Sequence, residues 1–340
     1  MTHSRQFGKR IRKGRPFPGQ LLLGWFSLFC LLLLFKNQQL ASESVRQGLL
    51  LCAKTVIPSL FPFTVLSELL IRGGFGERLV SRICAPLSRF ISLPTAGVTA
   101  MLLGLLCGFP VGAKAVTEAY RLGRLSKRDA ERSLCLAGTP SSAFVIGTVG
   151  SSLWGNTRFG TMLYLSVMIS ALLWAMLDGL LERKRTEIKI DSVPQKIIME
   201  PQKGAVLFTE SVRASCGTML IICAYVIFFS ALTGALDAIL ADLGVPQIIS
   251  SAILSTVELS RGVSLAAALE SPLYGAILSA FACGWSGISI HCQVISVCDG
   301  TQLSLRRYLA AKLFQAVLCA VIFATLLALL PSLLGPSATV

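Results

Sequence analysis

The chain has 340 residues, 54% of them hydrophobic and only 14% charged, with a formal net charge of +14. A soluble domain carries roughly a quarter charged residues, so too few are present here to cover a water-facing surface. The basic residues fall in short segments between apolar runs, the pattern of cytoplasmic loops, so the charge reports topology and no nucleic acid is expected as a partner.

Apolar stretches long enough for a hydrocarbon core of about 30 Å recur along the chain. Backbone polar groups in lipid must be satisfied internally, so the spans are read as helices. The fold class is an all-α integral membrane protein, a polytopic helix bundle whose partner is the lipid bilayer. The eleven cysteines form no CxxC pair and lie mostly in apolar runs, as small buried hydrophobes do. With only two histidines, His3 and His291, no metal is expected, and no other cofactor.

Residues 1–20 read as a basic cytoplasmic N-terminus, with Arg5, Lys9, Arg10, Arg12, Lys13 and Arg15 ahead of an apolar run. No small-x-small cleavage site follows Phe35, so 21–36 is taken as a retained N-terminal transmembrane helix. The next span, about 47–71, contains Pro58 and Pro62, which remove two amide donors and should kink or interrupt it. A basic stretch with Arg72, Arg78, Arg82 and Arg89 then returns the chain to the cytoplasmic face. Thr95 to Cys107 is too short to cross, and it breaks at Gly108-Phe-Pro110-Val-Gly112. Basic residues flank it on both sides, which predicts a re-entrant hairpin opening to the cytoplasm. A second broken segment around Pro140 and a long span at about 159–181 complete a first repeat over 43–182. Residues 183–204 form a cytoplasmic linker.

The second repeat, 205–331, follows the same outline before a short tail at 332–340. Glu43-Ser-Val-Arg46 recurs as Glu210-Ser-Val-Arg213, each opening a long apolar helix. A hairpin near 247–264 answers the one at 95–114, and Gly284-Trp-Ser-Gly-Ile-Ser-Ile-His291 answers the segment around Pro140. Arg306, Arg307 and Lys312 mark another cytoplasmic loop, and a last span covers about 310–331. Residues 114–132 carry Lys114, Arg121, Arg124, Lys127, Arg128 and Arg132, whereas 264–272 carry no basic residue. That asymmetry predicts two inverted-topology repeats.

In such folds a solute binds between discontinuous helices, whose half-helix N-termini face anionic groups. Gly108, Pro110 and Gly112 let the chain reverse beside a ligand, or serve tight helix packing. Lys114 either attracts a carboxylate or snorkels to the interface. Ser141 and Ser142 suit the first two positions of a new half-helix, or back-bond to helical carbonyls. Glu258 and Arg261 flank Ser260 at membrane depth, where ionisable groups default to function, although at i and i+3 they also suit pairing with each other. Ser286, His291 and Gln293 complete the candidates; a lone histidine also often bonds a neighbouring helix.

No nucleotide-binding loop, H-E-x-x-H or G-x-S-x-G element occurs, so no enzymatic role is expected. The PSLFPF segment, the GFPVGAK break, the AGTPSSAFVIGTVG segment and the GWSGISIHCQ segment together resemble the YlbJ (SpoVV) family of sporulation integral membrane proteins, over roughly 45–330. That family lies in the wider group with nucleoside-recognition Gate domains. The resemblance implies an outer forespore membrane location and transport of dipicolinate, a flat aromatic dianion, from mother cell towards spore. The expected partner is therefore a small anionic solute; a homodimer is compatible with the sequence. A nucleoside or other metabolite transporter is the first alternative, and a non-transporting scaffold for spore assembly the second.

Overall fold

A computed structural model describes residues 18–73, 86–186 and 204–334, and all regular structure among them is helical. Helix α1 (Pro18–Lys36) bends by 100° into α2 (Gln38–Leu51). The run from α2 continues through a π-helical turn, Cys52–Val56, into α3 (Ile57–Arg72), so it begins nine residues before the span expected at 47. Pro58 and Pro62 do not interrupt it: Pro58 falls in the first turn of α3, where its missing amide costs little, and the widened turn lies just before it. Arg78 and Arg82 of the expected basic stretch lie outside the described residues, as do most of the linker and the N-terminal basic segment.

A short helix α4 (86–91) leads to α5 (Thr95–Cys107) and α6 (Val111–Arg121), which fold back on each other. Gly108 turns the corner at φ +79°, a left-handed conformation that suits glycine. Gly104 and Gly112 then meet across the hairpin and against the Ala137 carbonyl, where a methyl on either would overlap it. Helix α7 (Lys127–Ala137) starts at Ser126, whose hydroxyl accepts from the Asp129 amide at 3.1 Å, and stops at Gly138 two residues before Pro140. A π-helical segment, Ala143–Leu153, follows, and α8 (Thr157–Thr186) closes the first series.

The same order recurs. Long α9 (Gly204–Asp242) is followed by α10 (Gln247–Val257) and α11 (Leu259–Ala267), then α12 (Pro272–Trp285) and α13 (Ile288–Val297), then α14 (Arg306–Leu329). Helix α9 packs antiparallel on α2 and α3, with Gly234 against Ser44 and Gly48 against Ser230, while α8 packs on α14. Among the described residues four helical runs are long and apolar enough to cross a membrane: Thr157–Glu182, Gly204–Asp242, Pro272–Val297 and Arg306–Leu329; α1 and α2 together make a fifth, bent one. At about 1.5 Å per residue, α9 is far longer than a hydrocarbon core about 30 Å thick, so its ends project or it tilts. Leu313, Val317 and Val321 on α14, and Leu165, Ile169 and Leu173 on α8, form exposed apolar rows at helical spacing, surfaces made for lipid.

One end of the bundle gathers the charge. Arg72 bonds Glu68 (2.9 Å) and Glu118 (3.2 Å) and reaches Glu210 at 3.9 Å. Beside it Arg132 bonds Asp178 (2.7 Å), Arg307 joins the same carboxylate, and Arg128 joins Glu182. Helices α5 and α6 have their outer ends here, because Gly97 touches Ser133 of α7 and Arg121 donates to the Asp299 carbonyl. Helices α10 and α11 open the other way, with Gly275 against Ala266 and Trp154 at the opposite end. The two ESVR motifs are likewise apart: Glu210 reaches Arg72, whereas Ser44 packs 24 residues further along α9, about 36 Å at helical rise.

Candidate functional site

Four interruptions of the helices meet in the middle of the bundle, two by two. Phe109 donates its amide to the Thr139 carbonyl at 2.9 Å, and Gly108 lies so close to Ser141 that a Cβ there would meet the Ser141 amide nitrogen at 2.7 Å. Across the bundle Gly287, at φ +86°, lies against Val257, Glu258 and Leu259. Ser286 beside it is held at φ +80°, a conformation that costs an L-residue about 1–2 kcal/mol and that gathers at functional sites.

Between the two pairs lies a cavity of about 170 Å³. Three of the interruptions and the helix that follows the fourth contribute to its lining: Phe109 from the first, Ser141 and Phe144 from the second, Glu258 and Ser260 from the third, and Ile290 and Gln293 from α13, which begins at the fourth. Leu51, Val56 and Leu60 from the continuous α2–α3 run and Ile222 and Val226 of α9 complete apolar walls. An apolar cavity of about 150 Å³ takes a benzene-sized ring, so this one has room for a single aromatic ring with polar groups at its edge. Among the described lining residues Glu258 carries the only formal charge.

Glu258 interrupts α10 with extended backbone (φ −142°, ψ 125°) and is the N-cap of α11, its carboxylate accepting from the amides of Ser260 (3.0 Å) and Arg261 (2.7 Å). The pairing of Glu258 with the Arg261 guanidinium that the spacing allows does not form; that guanidinium turns to Asp237 on α9. The two side chains diverge because the carboxylate is already engaged by the amides at the helix start. Ser141 accepts from the Phe144 amide at 3.2 Å and so acts as a cap rather than as a first helical residue; Ser142 stands after it, outside the lining.

The remaining candidates lie around the cavity and not on it. Gly108, Pro110 and Gly112 shape the first turn. Lys114 bonds the buried Glu68 (2.6 Å), Thr218 (2.6 Å) and the Ala214 carbonyl (2.9 Å), tying α6 to α3 and α9. His291 is buried, with Nδ1 3.1 Å from the Tyr308 hydroxyl and its ring edge-on to Trp285. Ser286 Oγ, Ser289 Oγ, His291 Nε2 and Gln293 Nε2 are all buried without a hydrogen-bond partner. Buried polar atoms are rarely left so, and Gln293 is both 1% exposed and on the cavity wall.

Lys312 overturns its sequence assignment. It was expected in a cytoplasmic loop, yet it is fully buried inside α14, donating to Gln315 Oε1 at 3.0 Å. The helix starts at Arg306, so Lys312 lies nearly two turns in, at the level of Gly138. The signal was present: Tyr308, Lys312 and Gln315 fall at helical spacing on one face of an apolar run. Glu68, the partner of Lys114, was also missed, and its apolar surroundings in LSELL were the sign of burial.

No family model and no solved structure matches the chain. It is 28% identical over 333 aligned positions to the sporulation integral membrane protein YlbJ of Bacillus subtilis (strain 168), covering 88% of this chain and 81% of that protein.

Proposed function

We propose, on the premise that this chain belongs to the family of the sporulation integral membrane protein YlbJ, that it is a membrane transporter of a small organic solute. The observation that carries the reading is the meeting of three helix interruptions, and of the helix that starts at a fourth, on one cavity. Interrupted helices expose backbone polar groups that lipid does not satisfy, and their convergence on a cavity is the arrangement secondary transporters use. The opposite openings of the two hairpins and the separation of the two ESVR motifs support a pair of inverted repeats with alternating access. The charged end, with Arg121, Arg124, Lys127, Arg128 and Arg132, is then cytoplasmic.

The solute we assign from the family resemblance is dipicolinate, carried from the mother cell across the outer forespore membrane. Its flat ring suits the apolar walls that include Phe109 and Phe144, and Ser141, Ser260 and Gln293 offer donors to its edge. A specific observation favours a second reading: among the described residues Glu258 lines the cavity and no cation does, an electrostatic setting better suited to a neutral heteroaromatic solute such as a nucleoside. Flux of dipicolinate and of uridine into proteoliposomes, each competed by the other, separates them. Saturable dipicolinate flux, abolished by Glu258→Ala, is the expected result. Uridine flux alone selects the second reading, and no flux of either from folded protein turns attention to the scaffold role.

A further inference from the structure

Lys312 takes no part in the cavity, yet it is fully buried. Its Nζ donates to Gln315 Oε1, and Gln315 donates in turn to the Cys135 carbonyl at 2.8 Å, near the end of α7. An ammonium has three protons to donate. Among the described residues no carboxylate lies within ion-pairing distance of this one. Two other basic side chains inside the bundle are treated differently: buried Arg132 bonds Asp178, and half-buried Lys114 bonds Glu68. Ionisable groups at membrane depth mark ion and proton pathways when no counter-charge explains them, and an amine, unlike a guanidinium, exchanges its proton readily.

Tyr308 and His291 lie between Lys312 and the cavity wall. Tyr308 lies one turn before it on α14, and both side chains close on Gly138, where a Cβ would meet Tyr308 Cε2 at 2.9 Å and Lys312 Cε at 3.4 Å. The Tyr308 hydroxyl meets His291 Nδ1. His291 Nε2 is buried and unpartnered, and its neighbours Ile290 and Gln293 on α13 are cavity wall. The titratable groups facing Lys312 are Cys135 from α7, His291 from α13, and Tyr308 and Cys319 from its own helix, with Cys283 of α12 beside Cys319; Asp178, which α8 brings to this side, is held by Arg132 and Arg307.

We propose that Lys312 carries the proton that drives transport and exchanges it with the cavity through Tyr308 and His291. The inference rests on the transporter reading. The amine takes up one proton on the side where solute loads, and the ammonium releases it on the other side once access has changed. One proton moved with each solute molecule supports about tenfold accumulation per unit of pH gradient. Proton-carrying is a different task from solute binding, so the two are separable by mutation.

Wild type, Lys312→Met and Lys312→Arg are reconstituted in the same liposomes. Each is assayed with labelled dipicolinate, or uridine if that is the solute, for counterflow and for accumulation driven by a pH gradient. Absence of counterflow in wild type removes the transporter reading itself. Counterflow in wild type with no response to the pH gradient overturns the proton proposal alone. The expected result is that Lys312→Met retains counterflow and loses gradient-driven accumulation. Retention of both overturns the proposal. Should Lys312→Met lose both, Lys312→Arg decides: counterflow without gradient drive supports a proton carrier, and loss of both assigns Lys312 to the fold.

Discussion

The two pairs of helix interruptions are built from similar parts and finished differently. In the first pair the polar groups are engaged: Phe109 on Thr139, Ser141 on Phe144, and Lys114 on Glu68. In the second pair Glu258 caps its own helix, but Ser286, Ser289, His291 and Gln293 each keep a buried polar atom without a partner. A bundle needs one side held firm if a solute is to be gripped from the other. On the transporter reading proposed above, the contrast gives rigidity to the first pair and most of the recognition to the second.

Substitutions that open the first pair break this contrast most severely. Gly112→Val drives a side chain into the Ala137 carbonyl and into Gly104, and costs about 3 kcal/mol; loss of the monodisperse peak in detergent chromatography is the expected readout. Lys114→Met leaves Glu68 buried with Arg72 as its remaining ion-pair partner. Because that partner stays, the loss falls below the about 3–5 kcal/mol of a fully broken buried pair, and adding Glu68→Gln should recover part of it in a thermal unfolding series. Ser141→Ala removes a cap and costs about 1 kcal/mol.

Gln293→Leu sharpens the contrast from the other side. Its amide nitrogen has no partner to lose, so the melting temperature holds or rises, while solute affinity falls by roughly tenfold through a lost hydrogen bond of about 1.4 kcal/mol. A drop in stability comparable to that of Ser141→Ala would place Gln293 among the structural groups instead.

Much of this arrangement is legible in the sequence where glycine and proline interrupt an apolar run. Gly108-Phe-Pro110 and Gly138-Thr-Pro140 mark the first two breaks because neither residue type sustains a helix, and Trp285-Ser-Gly287 marks the fourth. Glu258 was legible for another reason, as a charge at membrane depth. What the sequence withheld is pairing over long separations. Nothing local tells that Lys114 meets Glu68, or that Arg261 turns to Asp237 and leaves Glu258 to the helix amides. Lys312 was hidden by Arg306 and Arg307, which drew it into a loop although α14 had already begun.

The most direct test of the cavity as the solute site is to fill it from a position the fold does not depend on. Ala143 lines the cavity but is exposed, so Ala143→Trp should insert and purify as wild type does. Solute flux into proteoliposomes is then measured for both. Loss of flux from the folded variant is the predicted result, and flux at the wild-type rate would place the solute path elsewhere in the bundle.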